Sequence, residues 1–257
     1  MSNIHPTAVV SPKAELDPTV KVGPYTIIED DVTIGKGTEI VSSSRIAAGA
    51  VLGENVRVFH GAVIGTIPQD LKFGGEKTRV VIGDGTTIRE YATINRGTAA
   101  HGESSIGKNC FLMAYSHVAH DCIIGDNVIM ANSVNLAGHI EVGDYAILGG
   151  VLPVHQFVKI GAHAMIGGGY RVQQDVCPYA LVAGYPLKVV GINAIGLKRR
   201  GFKLETVRTL ERVFKILFFS KLNTTQAVER IHSEMEIIPE VQEILSFLDR
   251  SNRGIVK

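Results

Sequence analysis

The stretch that decides the fold is VGPYTIIEDDVTIGKGTEIV (Val22–Val41), which carries an aliphatic side chain at every sixth position. The same frame extends from Ile4 to Val172, and 26 of its 29 positions hold an aliphatic residue or methionine. A period of six matches neither the roughly 3.6 residues of a helical turn nor the two-residue repeat of an uninterrupted strand. It matches short strands that are joined by tight turns.

This frame predicts a parallel β-helix. Each hexad forms one flat side of a triangular coil, with its aliphatic side chain inward and a glycine or another small residue where the backbone turns. Three hexads close one coil, and successive coils pair as parallel strands about 4.8 Å apart. The pattern is that of a hexapeptide-repeat β-helix. The period alone does not define the hand of the coil. A left-handed winding is expected because the pattern is similar to that of known hexapeptide proteins.

Two loops are predicted from the three exceptions to the frame, Asp70, Glu76 and Ala100. The exceptions lie in polar, glycine-containing segments that skip whole multiples of six residues. The coils on either side are therefore expected to stay intact, while loops project at about 66–81 and 97–105. Loops on a rigid scaffold are common sites for binding groups.

The C-terminal part of the chain has a different pattern. We expect an all-β coil over residues 1–190 and an α-helical domain over 191–257. Apolar spacing and end signals predict three helices in the second domain: Leu204–Phe219, Thr224–Met235 and Pro239–Arg250. Thr224 is expected to cap the second helix, and Pro239 suits the first turn of the third. Because the flat sides of the coil would be liabilities if they were exposed, association into an oligomer is also expected.

Composition limits the kind of protein. The chain has 257 residues and a formal net charge of +1, which gives no reason to expect nucleic acid as a partner. Three cysteines without a CxxC pair (Cys110, Cys122 and Cys177) favour a reduced, cytoplasmic protein. The N-terminus has prolines and charges where a signal peptide needs an apolar run. No segment has the roughly 18 apolar residues of an integral membrane segment.

The coil brings separated polar residues together. Residues three hexads apart occupy equivalent places, so His120, Gly138 and Gln156 are predicted to stack in one column. The neighbouring column contains Asp121 and His139. One corner therefore collects five side chains that can exchange protons or hydrogen bonds: His120, Asp121, His139, His155 and Gln156.

Three interpretations of this corner stay open from the residues alone. Polar residues at a solvated turn need no function. A metal site needs imidazoles that converge on one ion at about 2 Å. The HVAH spacing of His117 and His120 differs from the HxxxxH of zinc-binding hexapeptide carbonic anhydrases, so no metal is predicted. A neutral histidine can also act as a general base, with Asp121 to orient it and the N–H of Gly138 to bind an oxyanion.

The order of motifs along the whole chain resembles the UDP-N-acetylglucosamine acyltransferase family. After IHPTA near the start, the motifs are PQDLKFGGE, IREYATINRGT, SHVAHDC, LAGH, VHQF, IGAH and GLKRRGF. The resemblance implies a homotrimer of left-handed β-helices with active sites between subunits. It also implies transfer of a 3-hydroxyacyl chain from acyl carrier protein to the sugar 3-position of UDP-N-acetylglucosamine, the first step of lipid A synthesis. Neither a metal nor a cofactor is implied.

The same resemblance implies roles for individual residues. His120 corresponds to the general base, Asp121 to its orienting partner and Gly138 to the oxyanion donor. Ten residues correspond to substrate-binding positions: Gln69, Asp70, Lys72, His117, His139, His155, Gln156, Asn193, Arg199 and Arg200. Met165 and Gly168 correspond to positions that limit acyl length, and a glycine there predicts a long chain of around hydroxymyristoyl length.

One position departs from the family pattern. Ile195 stands where members that use ordinary UDP-N-acetylglucosamine often carry a glutamate, so the motif reads NAIGLKRRG instead of an NIEGLKRRG-like stretch. Some relatives acylate the 3-amino analogue and form an amide, so N-acyl transfer stays open beside O-acyl transfer. Another hexapeptide acyltransferase and a non-catalytic binding scaffold are further alternatives.

Overall fold

Three sheets, parallel except at the end of the third, form the three sides of the coil in the computed structural model, which describes residues 3–257. The first sheet contains β1 Val9–Val10, β4 Ile27–Ile28, β7 Arg45–Ile46, β10 Val63–Thr66, β13 Thr93–Asn95, β16 His117–Val118, β19 Val134–Leu136 and β22 Leu152–Val154. The second contains β2 Glu15–Leu16, β5 Thr33–Ile34, β8 Ala50–Leu52, β11 Arg79–Ile82, β14 Glu103–Ile106, β17 Ile123–Ile124, β20 Glu141–Val142 and β23 Lys159–Ile160. The third contains β3 Lys21–Val22, β6 Glu39–Ile40, β9 Arg57–Val58, β12 Thr87–Ile88, β15 Phe111–Leu112, β18 Ile129–Met130, β21 Ile147–Leu148, β24 Met165–Ile166, β25 Ala180–Ala183 and β26 Lys188–Ile192.

Strand register follows the six-residue frame. Ile64 pairs with Ile94, and Ile94 pairs with Val118, so two coils are longer than the usual three hexads. The extra residues lie between β10 and β11 at 67–78, and between β13 and β14 at 96–102. Each insertion lengthens its coil by a whole number of hexads. The coils before and after therefore keep their register, as the sequence predicts.

Inward aliphatic side chains form one continuous core along the coil. Ile28, Ile34 and Ile40 are each 1% exposed, whereas Ile27, the outward neighbour of Ile28, is 45% exposed. Full burial of such a side chain is worth roughly 1.5–3 kcal/mol. The repeat thus supplies one inward anchor for every side of every coil.

One corner of the coil, here called the histidine corner, carries Asp121, His139 and Phe157 on successive coils. Their φ angles are 59°, 61° and 64°, a left-handed conformation that costs a residue with a side chain roughly 1–2 kcal/mol. Ring stacking along the corner offsets part of this cost, because the rings of His139 and Phe157 are nearly parallel with centroids 4.6 Å apart. The corner therefore presents a ladder of outward side chains.

Four helices follow the coil: α1 Ala194–Arg199, α2 Leu204–Phe218, α3 Thr224–Glu234 and α4 Pro239–Arg250. The last three agree with the predicted helices to within one residue at each end. The short α1 was not predicted, because six residues that include a glycine give no periodic signal. It follows β26, which pairs antiparallel with β25. Within residues 3–257, no helix combines the length and the apolar character that a membrane crossing requires.

The cap of α3 differs from the prediction. The N-cap is Asn223, whose side chain accepts a hydrogen bond from the N–H of Gln226, while the Gln226 side chain accepts one from the N–H of Asn223. This reciprocal arrangement is a capping box. Thr224 already lies in the first turn, so the assignment of Thr224 as the cap was wrong. Both residues are favourable caps, and the sequence alone did not separate them. Pro239 does occupy the first turn of α4.

We expect Asn223→Ala to lower the free energy of unfolding of the helical domain by about 1 kcal/mol, because it removes the side-chain cap. Thr224→Ala is the matched control, and its effect should stay below about 0.5 kcal/mol. Urea unfolding followed by circular dichroism measures both values against the wild type. Equal losses in the two variants would contradict the capping assignment.

Candidate active site

His120 and Asp121 form a buried pair at the histidine corner. Strand β16 ends at Val118, and in the turn that follows, His120 is 5% exposed and Asp121 1% exposed. The Nδ1 atom of His120 lies 2.8 Å from Oδ2 of Asp121. A carboxylate can only accept a hydrogen bond, so Nδ1 carries the proton and Nε2 is left as the basic nitrogen.

Three further hydrogen bonds hold Asp121 in place. The hydroxyl of Thr98 donates to Oδ2 over 2.7 Å, and the N–H of Thr98 donates to Oδ1 over 2.9 Å. The N–H of Asp121 donates to Oγ of Ser104 over 2.8 Å. Burial alone would raise the pKa of Asp121, but the hydrogen bonds from Thr98 and His120 outweigh burial and hold the pKa below its ordinary value. Asp121 is therefore ionised at neutral pH.

Gly138 lies directly against the ring of His120, as the coil count predicts. A Cβ atom at Gly138 would lie 2.6 Å from Cε1 and 2.8 Å from Nε2 of His120. Glycine is therefore required for the next coil to cover this imidazole. Among the described residues, the N–H of Gly138 has no hydrogen-bond acceptor. A donor is thus available close to the basic nitrogen.

His139 contacts the pair from the next coil. Its ring meets the His120 ring edge-on, with centroids 5.0 Å apart, and its Nε2 lies 3.7 Å from Oδ2 of Asp121. Burial lowers the pKa of His139, and the negative charge of Asp121 only partly opposes this shift. His139 is therefore neutral at physiological pH. His101, from the 96–102 loop, lies 5.7 Å from His139 between ring centroids and extends the cluster.

The same cluster brings together three residues of metal-binding type. The ligand atoms of His120, Asp121 and His139 all lie within 4.8 Å of one another. The hexad count predicts that these three residues meet at one corner, although the HVAH spacing of His117 and His120 gave no reason to predict a metal there. Both oxygens of Asp121 already accept hydrogen bonds, from Thr98 and from His120. Nδ1 of His120 is therefore occupied by Asp121, which is the arrangement of a histidine base and its orienting partner.

The other predicted residues near this corner are less enclosed. His155 and Gln156 are exposed, and Nδ1 of His155 donates to the carbonyl of Gln156 over 3.2 Å. His117 is half-buried on a flat side of the coil, where its Nδ1 lies 2.7 Å from Oγ1 of Thr93. Burial lowers the pKa of His117, and nearby His120 lowers it further. His117 is thus a neutral imidazole that belongs to a side of the coil and is separate from the pair.

The 67–78 loop brings one of its three predicted residues close to the corner. The negative charge of Asp70 acts on the imidazole of His139 and favours its protonation. The Asp70 carboxylate also accepts a hydrogen bond from the N–H of Lys72, which orders the turn of the loop. The side chains of Gln69 and Lys72 are exposed. They are therefore accessible to a substrate.

The predicted residues Asn193 and Arg200 lie beside a different corner of the coil. Asn193 is buried: its Oδ1 accepts the N–H of Gly196, and its Nδ2 donates to the carbonyl of His163. Asn193 therefore caps α1, and a ligand contact for it stays a prediction. Arg200 donates to the carbonyl of Tyr145 over 2.9 Å, and its guanidinium carbon lies 5.2 Å from the centre of the Tyr145 ring.

Stacked rings build this second corner, here called the tyrosine corner. His163 lies between Tyr145 and Tyr179, with ring centroids 4.9 Å and 5.5 Å away. Nη1 of Arg200 is buried and has no protein partner among residues 3–257, and the side chain of Arg199 is exposed. The unpaired Nη1 of Arg200 and the exposed guanidinium of Arg199 are both suited to bind an anionic ligand.

The two residues predicted to limit acyl length lie near the end of the coil. Met165 is on β24 and is 37% exposed. A Cβ atom at Gly168 would lie 2.8 Å from the carbonyl oxygen of Gly150. Glycine at 168 is thus required by the close approach of the previous coil. Its role in acyl length stays a prediction.

Sequence reasoning did not single out Thr98, Ser104 or His101. All three come from the 96–102 loop or the strand that follows it. The one available signal was that the loop interrupts the frame directly before the coil that contains His120. Their pairing with this corner depends on the path of the loop, which the period does not describe.

Two family models match parts of the chain. Residues 103–138 match a model described as bacterial transferase hexapeptide (six repeats). Residues 175–256 match a model described as UDP N-acetylglucosamine O-acyltransferase, domain 2. The coil and its histidine corner therefore define a hexapeptide-repeat transferase.

Similar proteins extend this match to the full length. The chain is 47% identical to the acyl-[acyl-carrier-protein]–UDP-N-acetylglucosamine O-acyltransferase of Thermodesulfovibrio yellowstonii, over 100% of both chains. A solved UDP-N-acetylglucosamine acyltransferase from Bacteroides fragilis is 41% identical, with a TM-score of 0.97 over 99% of this chain and 100% of that one. LpxA from Acinetobacter baumannii is 40% identical, with a TM-score of 0.95 over 99% of both chains. The chain belongs to this acyltransferase family, and the predicted left-handed parallel β-helix with C-terminal helices is confirmed.

His163 generates a pH-dependent prediction. Burial, with a smaller contribution from the charge of Arg200, lowers its pKa to about 4, whereas an unfolded histidine has a pKa of about 6.5. Between these values the unfolded state binds more protons. The stability contributed by neutral His163 is therefore present above about pH 6.5 and is lost as the pH falls toward 4.

His163→Phe tests this prediction because it keeps a flat ring in the stack and removes the titrating group. We expect the free energy of unfolding of the variant to depend less on pH between about 4 and 6.5 than that of the wild type. NMR titration of the wild type should show a neutral His163 at pH values where exposed histidines are already protonated. The same slope in both proteins would contradict the assignment.

Proposed function

We propose that this protein transfers an (R)-3-hydroxyacyl chain from acyl carrier protein to the 3-hydroxyl of UDP-N-acetylglucosamine, the first step of lipid A synthesis. The observation that carries the proposal is the buried His120–Asp121 pair beneath Gly138. This pair occurs in a chain that matches acyltransferases of that name along its whole length. One fold can host many functions, so the geometry of the site is the evidence that favours acyl transfer.

His120 acts as the general base in this proposal. Its Nδ1–H donates to Asp121, so Nε2 can take the proton of the sugar hydroxyl as the hydroxyl oxygen attacks the thioester carbonyl. The new C–O bond forms, the tetrahedral oxyanion collapses and the C–S bond breaks. The proton on His120 then passes to the departing thiolate. Asp121 stabilises the imidazolium that exists between these two transfers.

Gly138 supplies the donor for the oxyanion. Its N–H is free of protein acceptors among the described residues, and its Cα packs on the imidazole that acts as base. A pre-positioned donor stabilises the negative charge only as that charge develops, which lowers the barrier. All proton transfers take place between His120, the sugar hydroxyl and the carrier thiol. We therefore propose that the reaction needs neither metal nor cofactor.

The remaining predicted residues bind the two substrates in this proposal. Four line the acyl-transfer region beside the base: His117, His139, His155 and Gln156. Three more reach it from the 67–78 loop: Gln69, Asp70 and Lys72. At the tyrosine corner, Arg199 and Arg200 bind the diphosphate of the nucleotide, with Asn193 beside them. Exposed Lys198 and Arg199 also suit an acidic carrier protein.

A homotrimer is proposed because the two groups of residues lie at different corners of one chain. The histidine corner carries the base, whereas Arg200 contacts Tyr145 of the tyrosine corner. If the histidine corner of one subunit faces the tyrosine corner of its neighbour, a single UDP-sugar can contact both. The three cysteines are buried and unpaired, which supports a reducing compartment, and we propose the cytoplasm.

The second candidate reaction is the same transfer to a 3-amino analogue of the sugar, which gives an amide. The observation that favours it is Ile195, an apolar side chain that is 68% exposed on α1 where a carboxylate is common in the family. An exposed isoleucine provides no hydrogen-bond acceptor for the sugar nucleotide. The catalytic pair could remove a proton from either nucleophile.

His120→Ala is expected to stay folded and to lose roughly 10²–10⁴-fold in kcat, since general-base catalysis is typically worth that much. Release of the carrier thiol from hydroxyacyl carrier protein measures turnover. His60→Ala is the control, because it removes an exposed imidazole from the third corner of the coil, which is neither the histidine corner nor the tyrosine corner. A folded His120→Ala variant with normal turnover would favour a binding scaffold instead.

Metal analysis of the purified wild type tests the alternative of a zinc site.

Product mass spectrometry separates the two acceptors and measures the acyl preference. The wild type is offered both sugar nucleotides and a series of hydroxyacyl carrier proteins. We expect the ester of UDP-N-acetylglucosamine with a chain of around hydroxymyristoyl length as the main product. Ile195→Glu should shift the preference further toward the 3-hydroxyl sugar. A main amide product would select the second candidate, and preference for a short chain would contradict the role of Gly168.

A further inference from the structure

The 96–102 loop joins the catalytic pair to the loop that carries predicted substrate contacts. Thr98 donates two hydrogen bonds to the carboxylate of Asp121. The N–H of the next residue, Ala99, donates to Oε1 of Glu76 over 3.1 Å. Glu76 belongs to the 67–78 loop, where its Oε2 also accepts the N–H of Gly74 over 2.8 Å. One short segment thus touches both parts of the site.

The hydroxyl of Thr98 has a defined direction. Its oxygen accepts the N–H of Ala100 over 3.2 Å, so its own proton is left for Oδ2 of Asp121 at 2.7 Å. Thr98 is 7% exposed and Asp121 1% exposed. Water therefore has little access to replace the hydroxyl if it is removed. Removing a hydrogen-bond donor from a buried charged group costs more free energy than removing one from an exposed group, because no water replaces the lost bond.

Asp121 depends on Thr98, which supplies two of the three hydrogen bonds to its carboxylate. Its backbone has a left-handed φ of 59°, and its Oδ2 is shared between Thr98 and His120. A carboxylate that rotates away from Nδ1 would release the tautomer of His120, and Nε2 would cease to be the basic nitrogen. The Thr98 hydroxyl and Nδ1 of His120 donate to the same oxygen, so the hydroxyl helps to hold that oxygen 2.8 Å from Nδ1.

We propose that Thr98 is a positioning residue for acyl transfer, which holds the Asp121 carboxylate in the orientation that keeps Nε2 of His120 basic. This inference rests on the proposed roles of His120 and Asp121. Thr98 acts through Asp121 and does not touch the substrate. Its removal therefore lowers the rate of the chemical step and leaves substrate binding nearly unchanged.

The test compares Thr98→Val, Thr98→Ser and Thr86→Val with the wild type. Thr98→Val should lower kcat about tenfold, the effect of losing one hydrogen bond to a charged group. KM for both substrates should change less than about twofold. Thr98→Ser restores the hydroxyl and should restore most of kcat. Thr86→Val is the matched control. The buried Thr86 hydroxyl, like that of Thr98, donates one hydrogen bond and accepts one from an N–H, but its partners are Gly107 and Cys110 instead of the catalytic pair.

A second comparison places Thr98→Val in an Asp121→Ala background. If Thr98 acts through Asp121, the double variant should have the same kcat as Asp121→Ala alone. A further loss in that background, or wild-type kcat in a folded Thr98→Val protein, would overturn the inference and leave the proposed function standing. A wild-type protein that transfers no acyl chain would overturn the proposed function and this inference with it.

Discussion

Strands of two residues have almost no hydrogen bonds of their own, so every coil of this protein depends on register with the coils above and below it. The N–H of Val63, for example, donates to the carbonyl of Ala92 in the next coil. Buried backbone groups must be paired, and the aliphatic of each hexad must face inward. Over the regular frame, residues 4–172, both requirements are met because the coils differ in length by whole hexads. The 67–78 and 96–102 loops obey this rule, which is why they interrupt the frame and leave the coil intact.

The same register builds the site. Asp121 follows His120 in the chain, but Gly138 and His139 reach the pair only because the next coil stacks three hexads later. The contact between Gly138 and the His120 ring leaves no space for a Cβ atom, so the pair is covered by backbone. The left-handed turn positions then project Asp121 and His139 from one corner. A scaffold that cannot shift its register is well suited to hold a base and its partners at hydrogen-bond distance.

Burial shifts acids and bases in opposite directions, and this corner uses both effects. The imidazole of His139 at this corner is kept neutral because burial disfavours its charged form, and the same is true of His117 on the adjoining side of the coil. Asp121 would be driven toward protonation by the same burial, but the hydrogen bonds from Thr98 and His120 reverse the shift. The result is an ionised carboxylate beside the neutral imidazole of His139. Its hydrogen bond from Nδ1 of His120 keeps His120 in the tautomer whose Nε2 is free to accept a proton.

The sequence by itself determined the β-helix, the positions of its two interruptions, three of the four helices and the stacking of Gly138 on His120. Each of these follows from a periodic pattern or from counting hexads along a regular coil. Only the tertiary structure decided that Thr98 and Ser104 hold Asp121, that Asn193 caps α1 and that Asn223 caps α3. It also showed that Gly168 is required by its approach to Gly150. These contacts involve loops, caps and close backbone approaches, whose geometry depends on the path of the chain in space and leaves no period in the sequence.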